Sequence, residues 1–289
     1  MYSNNYKIRE KNMLKRIVLV LDASTAGKIA RTYTFDLAKQ YKAEVLGVAV
    51  LDTPWLTAPQ PEPLGGSAFK VQADEAIARS TQSHIDELLA EFKTVCKQEA
   101  VSFQALEIEG FPANEIEMAS YQGDLIVLGK TTDFHFELDG HSDSTVKHIA
   151  HDNPRPLIVV PAIPEKTNTI VVAYDGEIQS ARALHMFLLL NLGKEKHLHI
   201  VNVNDDPQEG KELISLALKL CESHGVKAEG KILKKNHSIG ESLLEFSDKS
   251  KAEMIVLGSF GHTLIRDVFF GSCSKMMLKK SRVPLFIHH

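Results

Sequence analysis

Met254-Ile255-Val256-Leu257-Gly258-Ser259-Phe260-Gly261, then nine residues, then Gly271-Ser272: this stretch decides the fold. Met254 to Leu257 is a short apolar run of the kind that forms a buried strand. Ser274 to Leu278 reads as an apolar helical stretch. A strand, a glycine-rich loop and a helix start therefore follow one another, and that is a local order suited to holding phosphate. Glycine lets the backbone approach an anion, while a helix start offers unpaired N–H groups and partial positive charge. The hydroxyl of Ser272 adds a donor. Neither Gly-x-x-x-x-Gly-Lys-Ser/Thr nor Gly-x-Gly-x-x-Gly occurs anywhere in the chain, so the two common phosphate loops are excluded.

The spacing Gly258-x2-Gly261-x9-Gly271-Ser272 resembles the nucleotide-binding signature of the universal stress protein family. A second copy of the surrounding pattern lies upstream. Arg16 to Asp22 and Thr169 to Asp175 are apolar runs ending in aspartate, 153 residues apart. Val45 to Asp52 and Leu198 to Asp205 keep the same offset. Cys96 and Cys221, near the ends of matching helical stretches, are 125 apart. Gly129 matches Gly258 at 129, and Pro156 matches Pro284 at 128. The order is preserved, so the chain is a tandem repeat of two ordinary-sized domains, and the resemblance covers nearly everything after residue 14. The expected layout is a disordered tail over 1–14, a first domain over 15–162 and a second over 168–289.

The fall in offset from 153 to 125 places about 28 extra residues in the first copy, between its second strand and the next helix. They include Trp55, the chain's only tryptophan, then Pro59, Pro61, Pro63, Gly65 and Gly66. Such a stretch reads as a long loop, either a solvated insertion or a lid and partner surface.

A chain of 289 residues, 44% hydrophobic and 24% charged, can bury two ordinary cores. A net charge of −4 gives no reason to expect nucleic acid or an anionic membrane as partner. No apolar run approaches the roughly 20 residues of a membrane span. Met1 to Asn12 is polar and lacks the apolar core of a secretion signal. Three scattered cysteines make no disulfide framework, and a reducing cytoplasm is the expected setting.

Each half alternates strand and helix, as in Ile85 to Phe92 and Ala181 to Leu188. The Val/Ile/Leu runs lack polar alternation, which is how parallel strands buried on both faces read. The fold expected is α/β: two tandem, doubly wound, five-stranded parallel sheets of Rossmann-like form. In the wider grouping that the resemblance implies, this is the adenine nucleotide alpha hydrolase-like fold. Ligands of such sheets bind beyond the carboxyl ends of the strands, where strand order switches. Asp175, Val203 and Gly258 fall at such ends.

The resemblance implies ATP or AMP as ligand. Asp175 then accepts hydrogen bonds from ribose hydroxyls, and the Val203 main chain reads the adenine edge. Gly258, Gly261, Gly271, Ser272 and Ser274 surround the phosphates, with His262 as an extra donor. Asp175 also reads as a simple cap on the following helix. Magnesium bridging the phosphates accompanies ATP, and nothing in the sequence fixes its ligands.

The first copy departs from this pattern. Its loop runs Gly129-Lys130-Thr131-Thr132, and Asp143-Ser144 stands where the third glycine and its serine are expected. Asp22 and Val50 persist, but a carboxylate at the phosphate position repels the anion. The first pocket is therefore expected to be free of nucleotide or to hold another ligand. His135, Asp139, His141, His148 and His151 cluster in the same region. They are metal-ligating types, but their spacing fits no recognised zinc motif, and no metal is assigned. His288 and His289 end the chain, either as native residues or as the remnant of a tag. Cys96 and Cys221 read as packing residues. Cys273, beside Ser272, reads either as core or as an oxidant-sensitive thiol.

No Ser-His-Asp arrangement can be placed. His262, Arg266 and Lys275 are the local candidates for assisting ATP hydrolysis, and each also reads as a solvated group. A nucleotide-binding stress regulator is thus favoured over an enzyme. Two alternatives stay open, an adenylating or weakly hydrolysing enzyme and a scaffold that works without nucleotide and binds a protein partner. The final runs, Leu157 to Val160 and Leu285 to Ile287, are apolar sheet edges that must be covered. The two halves are therefore expected to pair through them as an internal pseudo-dimer, with a homodimer of whole chains left open.

Overall fold

Apolar runs without polar alternation need cover on both faces. The computed structural model supplies it with one ten-stranded sheet between two helix layers. It describes residues 13–56, 67–132, 134, 146–150, 153–161, 166–258 and 272–289, with the side chains of 67–74 excluded. The first half contains β1 (Arg16–Val20), α1 (Thr25–Tyr41), β2 (Glu44–Leu51), α2 (Thr53–Leu56), α3 (Ser67–Gln98), β3 (Phe103–Glu109), α4 (Pro112–Ser120), β4 (Leu125–Gly129) and β5 (Leu157–Val160). The second contains β6 (Thr169–Ala173), α5 (Ile178–Leu189), β7 (His197–Val203), α6 (Pro207–Ser223), β8 (Lys227–Leu233), α7 (Ile239–Lys249), β9 (Met254–Gly258), α8 (Ser272–Lys280) and β10 (Leu285–His288).

The strand order is β3-β2-β1-β4-β5-β10-β9-β6-β7-β8. Each half is five parallel strands in doubly wound order, with its switch point between β1 and β4 or between β6 and β9. Side-chain alternation sends Ile17 and Leu19 to one face and Val18 and Val20 to the other. The first face is covered by α1, α3, α5 and α6, the second by α4, the helical residues 146–150, α7 and α8.

The halves join where the sequence has its two apolar edges. Strands β5 and β10 pair antiparallel, with Phe286 opposite Ile158. Each thereby covers the other's unpaired backbone groups, which would otherwise invite aggregation. Further contacts tie the halves. The Tyr41 hydroxyl donates to the Asn191 carbonyl at 3.0 Å, and Lys166 pairs with Asp36 at 2.7 Å. Lys130 Nζ donates to the Lys279 carbonyl at 2.7 Å, at the C-terminal end of α8, where a cation complements the helix dipole.

Two expectations change. The insertion in the first half is helical in part, because α3 has 32 residues where its counterpart α6 has 17. The chain from Ser67 onward is rich in Ala, Glu and Gln and lacks Pro and Gly up to Gln98, so it propagates a helix. Trp55 lies on the short α2, half-buried; Pro59, Pro61, Pro63, Gly65 and Gly66 lie outside the described residues. Leu14, placed in the expected tail, is instead fully buried in the core; residues 1–12 lie outside the described residues. No helix among the described residues is long and apolar enough to cross a membrane.

Phe286 tests the seam. It is fully buried and packs edge-on against Phe187, ring centroids 5.3 Å apart. Phe286→Ala is expected to cost about 3–5 kcal/mol, read as a lowered urea midpoint. Because the sheet is continuous, the wild type is expected to lose both halves in one transition, detected by following Trp55 fluorescence and far-UV ellipticity together.

Candidate functional site

The chain leaves β6 through Tyr174 and Asp175 and turns at Gly176, whose φ of +84° suits a residue without a β-carbon. Helix α5 then starts with Glu177 as an N-cap that makes no side-chain cap bond. Asp175 supplies what the cap lacks. Its Oδ1 accepts the Glu177 N–H at 3.0 Å and the Ser180 hydroxyl at 2.7 Å. Asp175 is exposed, and among the described residues Oδ2 has no hydrogen-bond partner. The capping role and an open acceptor thus coexist on one side chain.

Val203 closes β7. Pairing with β6 ends at Ala173 opposite Val201, and the last bond on that side runs from the Tyr174 N–H to the Val201 carbonyl. Two residues later, Val203 turns its own N–H and C=O past the end of β6. The next residue, Asn204, donates its N–H to the Leu233 carbonyl of β8, so by alternation the Val203 N–H and C=O face the β6 side, beyond the last bond there. Gly258 closes β9 beside the start of α5. A β-carbon there would stand 2.4 Å from the Gln179 carbonyl carbon and 2.5 Å from the Ser180 nitrogen. Glycine is needed at this position so that the helix start can sit on the strand end, whatever the loop beyond it binds.

Helix α8 begins at Ser272, which is exposed, while Ser274 is buried. Its first turn lies near Asp175. Burial, and then the Asp175 charge, push the Cys273 thiol up to about 11. That thiol stays protonated and unreactive at neutral pH, which favours its reading as core. Ala173, Val203 and Cys273 pack against the same apolar cluster. The strand order sets the ends of β6 and β7 and of β6 and β9 side by side at the switch point, and the effect of the Asp175 charge on Cys273 puts the start of α8 close by. Gly261, His262 and Gly271 lie outside the described residues, as do His135, Asp139, His141, His151 and Asp143. Of the loop histidines, His148 is described, with its ring 6.5 Å from that of Phe111.

In the first half the equivalent aspartate is buried among protein donors. Asp22 is 3% exposed. Its Oδ1 accepts the Ser24 N–H at 2.7 Å, and its Oδ2 accepts the Thr132 hydroxyl at 2.9 Å. Thr132 is fully buried. Gly129 repeats the role of Gly258, since a β-carbon there would stand 2.6 Å from the Ala26 carbonyl carbon. At the end of β2, Asp52 Oδ1 accepts the Trp55 N–H at 3.0 Å and so starts α2. Two residues here were not legible as site residues. Thr132 sits 110 positions from the carboxylate that it binds. Asn202, buried at the end of β7, donates to the Tyr174 carbonyl at 2.8 Å and fixes the turn into Asp175. The signal for both was a small polar residue beside an apolar run, which is too common to single out.

The sequence profile described as Universal stress protein family matches residues 13–161 and again 166–289. A universal stress protein of Synechocystis is 25% identical over 286 residues, covering 94% of this chain and 99% of the relative. The crystal structure of a universal stress protein from Archaeoglobus fulgidus superposes with a TM-score of 0.69 at 19% identity, covering 94% of this chain and 97% of that one. A protein of Pseudomonas aeruginosa described as functionally unknown superposes at 0.58 with 12% identity, covering 95% and 92%. These likenesses establish the fold.

The two aspartates make the local geometry testable. Thr132→Val removes a donor from a buried carboxylate and is expected to cost about 1–3 kcal/mol in urea unfolding. Ser180→Ala removes the matching donor from the exposed Asp175, where water can replace it, and is expected to cost less. Equal losses would show that the two carboxylates are equally dependent on protein donors.

Proposed function

The chain belongs to the universal stress protein family, and from that premise we propose that it is a stress-response regulator binding one adenine nucleotide in the crevice of its second half. The observation that carries this reading is the contrast between the two carboxylates. Asp22 is buried, with an oxygen held by Thr132. Asp175 occupies the same point of the repeat, is exposed, and keeps Oδ2 available among the described residues.

In this reading Asp175 Oδ2 accepts from the ribose hydroxyls and the main chain of Val203 meets the adenine edge. The N–H groups at the start of α8, with the Ser272 hydroxyl, receive phosphate. Gly258, Gly261 and Gly271 shape the loop, His262 adds a donor, and the buried Ser274 anchors the first turn. ATP and AMP both suit these roles, and magnesium accompanies ATP as a bridge between phosphates. The protein is a binder whose occupancy carries the signal; turnover is not required of any residue at the crevice. The first crevice, closed by Thr132, contributes a protein surface.

Isothermal titration with AMP and with Mg·ATP is expected to give one site per chain. Asp175→Ala is expected to weaken binding at least ~10-fold, since a charged acceptor is worth about 1.5–3 kcal/mol. Gly261→Val with Gly271→Asp is expected to abolish it, and Asp22→Asn to leave it unchanged. Two equivalent sites, or binding indifferent to Asp175 and to the glycines, would refute the proposal.

A further inference from the structure

At the opposite end of β7 from Val203 lies a cluster of side chains that the nucleotide reading does not use. His197 and His199 project from the same side of β7, and Glu229 stands opposite His199 on the neighbouring edge strand β8. All three project to the face covered by α7, where the His199 ring packs edge-on against Phe246 with centroids 5.5 Å apart. Glu229 Oε1 is 2.8 Å from His199 Nδ1 and 3.5 Å from His197 Nε2. One potential ligand atom from each residue falls within a common span of 4.8 Å.

The contact between His199 and Glu229 is close but is not a hydrogen bond. Nδ1 is buried and has no partner in hydrogen-bonding alignment, although the carboxylate oxygen is beside it. A buried ring nitrogen without an aligned partner, beside a carboxylate oxygen, is a pairing that a shared cation would satisfy. We propose that His197, His199 and Glu229 form a three-ligand site for a zinc-class divalent cation, bound by His197 Nε2, His199 Nδ1 and a Glu229 carboxylate oxygen.

The geometry is close to what such an ion needs. Zinc binds histidine nitrogen and carboxylate oxygen at about 2.0–2.2 Å, so neighbouring ligands of a tetrahedron stand about 3.3–3.5 Å apart. The donor set, two imidazoles and one carboxylate, selects zinc and its neighbours over magnesium or calcium, which prefer all-oxygen shells. A fourth position is left for water or an incoming ligand. Lys231 Nζ, 3.3 Å from Glu229 Oε1, competes for the carboxylate and must yield when the ion binds. Because β8 is the edge of the sheet, the ion would clip that edge to β7.

The test uses the full chain, Zn2+ or Co2+ alone, and a competing chelator to read affinity. Histidines elsewhere in the chain are also metal-ligating types, so the site is defined by difference. Wild type is expected to hold one more equivalent than His199→Ala or Glu229→Gln, with at least ~10-fold weaker binding in each variant. The difference is expected to survive in a background carrying His288→Ala and His289→Ala. The visible Co2+ spectrum of the extra equivalent should show four-coordinate bands that both variants lose. Lys231→Gln is expected to tighten binding several-fold, whereas in a plain ion-pair cluster it would have no such effect. Zinc uptake identical in wild type, His199→Ala and Glu229→Gln would overturn the proposal, as would no uptake at tens of micromolar metal. Glu229 is exposed enough that Glu229→Gln keeps the test meaningful if His199→Ala fails to fold.

Discussion

The antiparallel pairing of β5 with β10 is the constraint on which the rest of the molecule depends. Each half, by itself, ends in a four-residue strand buried on both faces and bare along one edge. A bare apolar edge must be paired or covered, and the tandem chain pairs its two edges with each other. Parallel pairing inside each half and antiparallel pairing at the seam make one sheet out of two repeats. Helices of both halves then share the same two apolar clusters. Lys130 adds a second tie: it stands just after Gly129 in the first half and donates to the C-terminal end of α8 in the second. A residue just past the end of β4 thus braces the last turn of α8 in the other half.

Within that shared frame the repeats have diverged at one chemical point. Both place an aspartate just past the first strand and a glycine at the end of the fourth, and both glycines admit the start of a helix at contact distance. The divergence is in what meets the aspartate. In the first half a threonine hydroxyl and a backbone N–H hold Asp22 inside the protein. In the second half one oxygen of Asp175 is spent on starting α5 and the side chain stays exposed. A buried carboxylate must be satisfied from within, whereas an exposed one beside a helix start can exchange water for sugar hydroxyls. The two loops thus differ in what meets the aspartate while both halves keep the same strand order.

Much of this was legible because it is local and periodic. Runs such as Ile17 to Leu21, with no polar alternation, announced strands covered on both faces, and the repeat offsets announced the two halves and their bare last strands. The parts that were not legible depend on contacts between distant residues. Thr132 lies in a loop that looks merely degenerate, and only the fold carries it to Asp22. Gly258 reads as a phosphate-loop glycine, yet the start of α5 would exclude a side chain there in any case. The stretch after Asp52 was read as a single loop because prolines and glycines cluster before Ser67, although the composition changes at that residue and a helix follows. His197 and His199 show the spacing of one strand face, but their third neighbour, Glu229, is fixed by register across to β8, which no single stretch of sequence contains.

The central claim is that the second crevice is open to an adenine nucleotide while the first is closed by its own side chains. Amide chemical shifts recorded by two-dimensional NMR during addition of AMP test it most directly, because each half reports separately. The expected result is a set of shifts centred on Gly176, Val203, Gly258 and Ser272, with Ser24, Gly129 and Thr132 unmoved. Shifts of comparable size in both sets, or confined to the first, would contradict it.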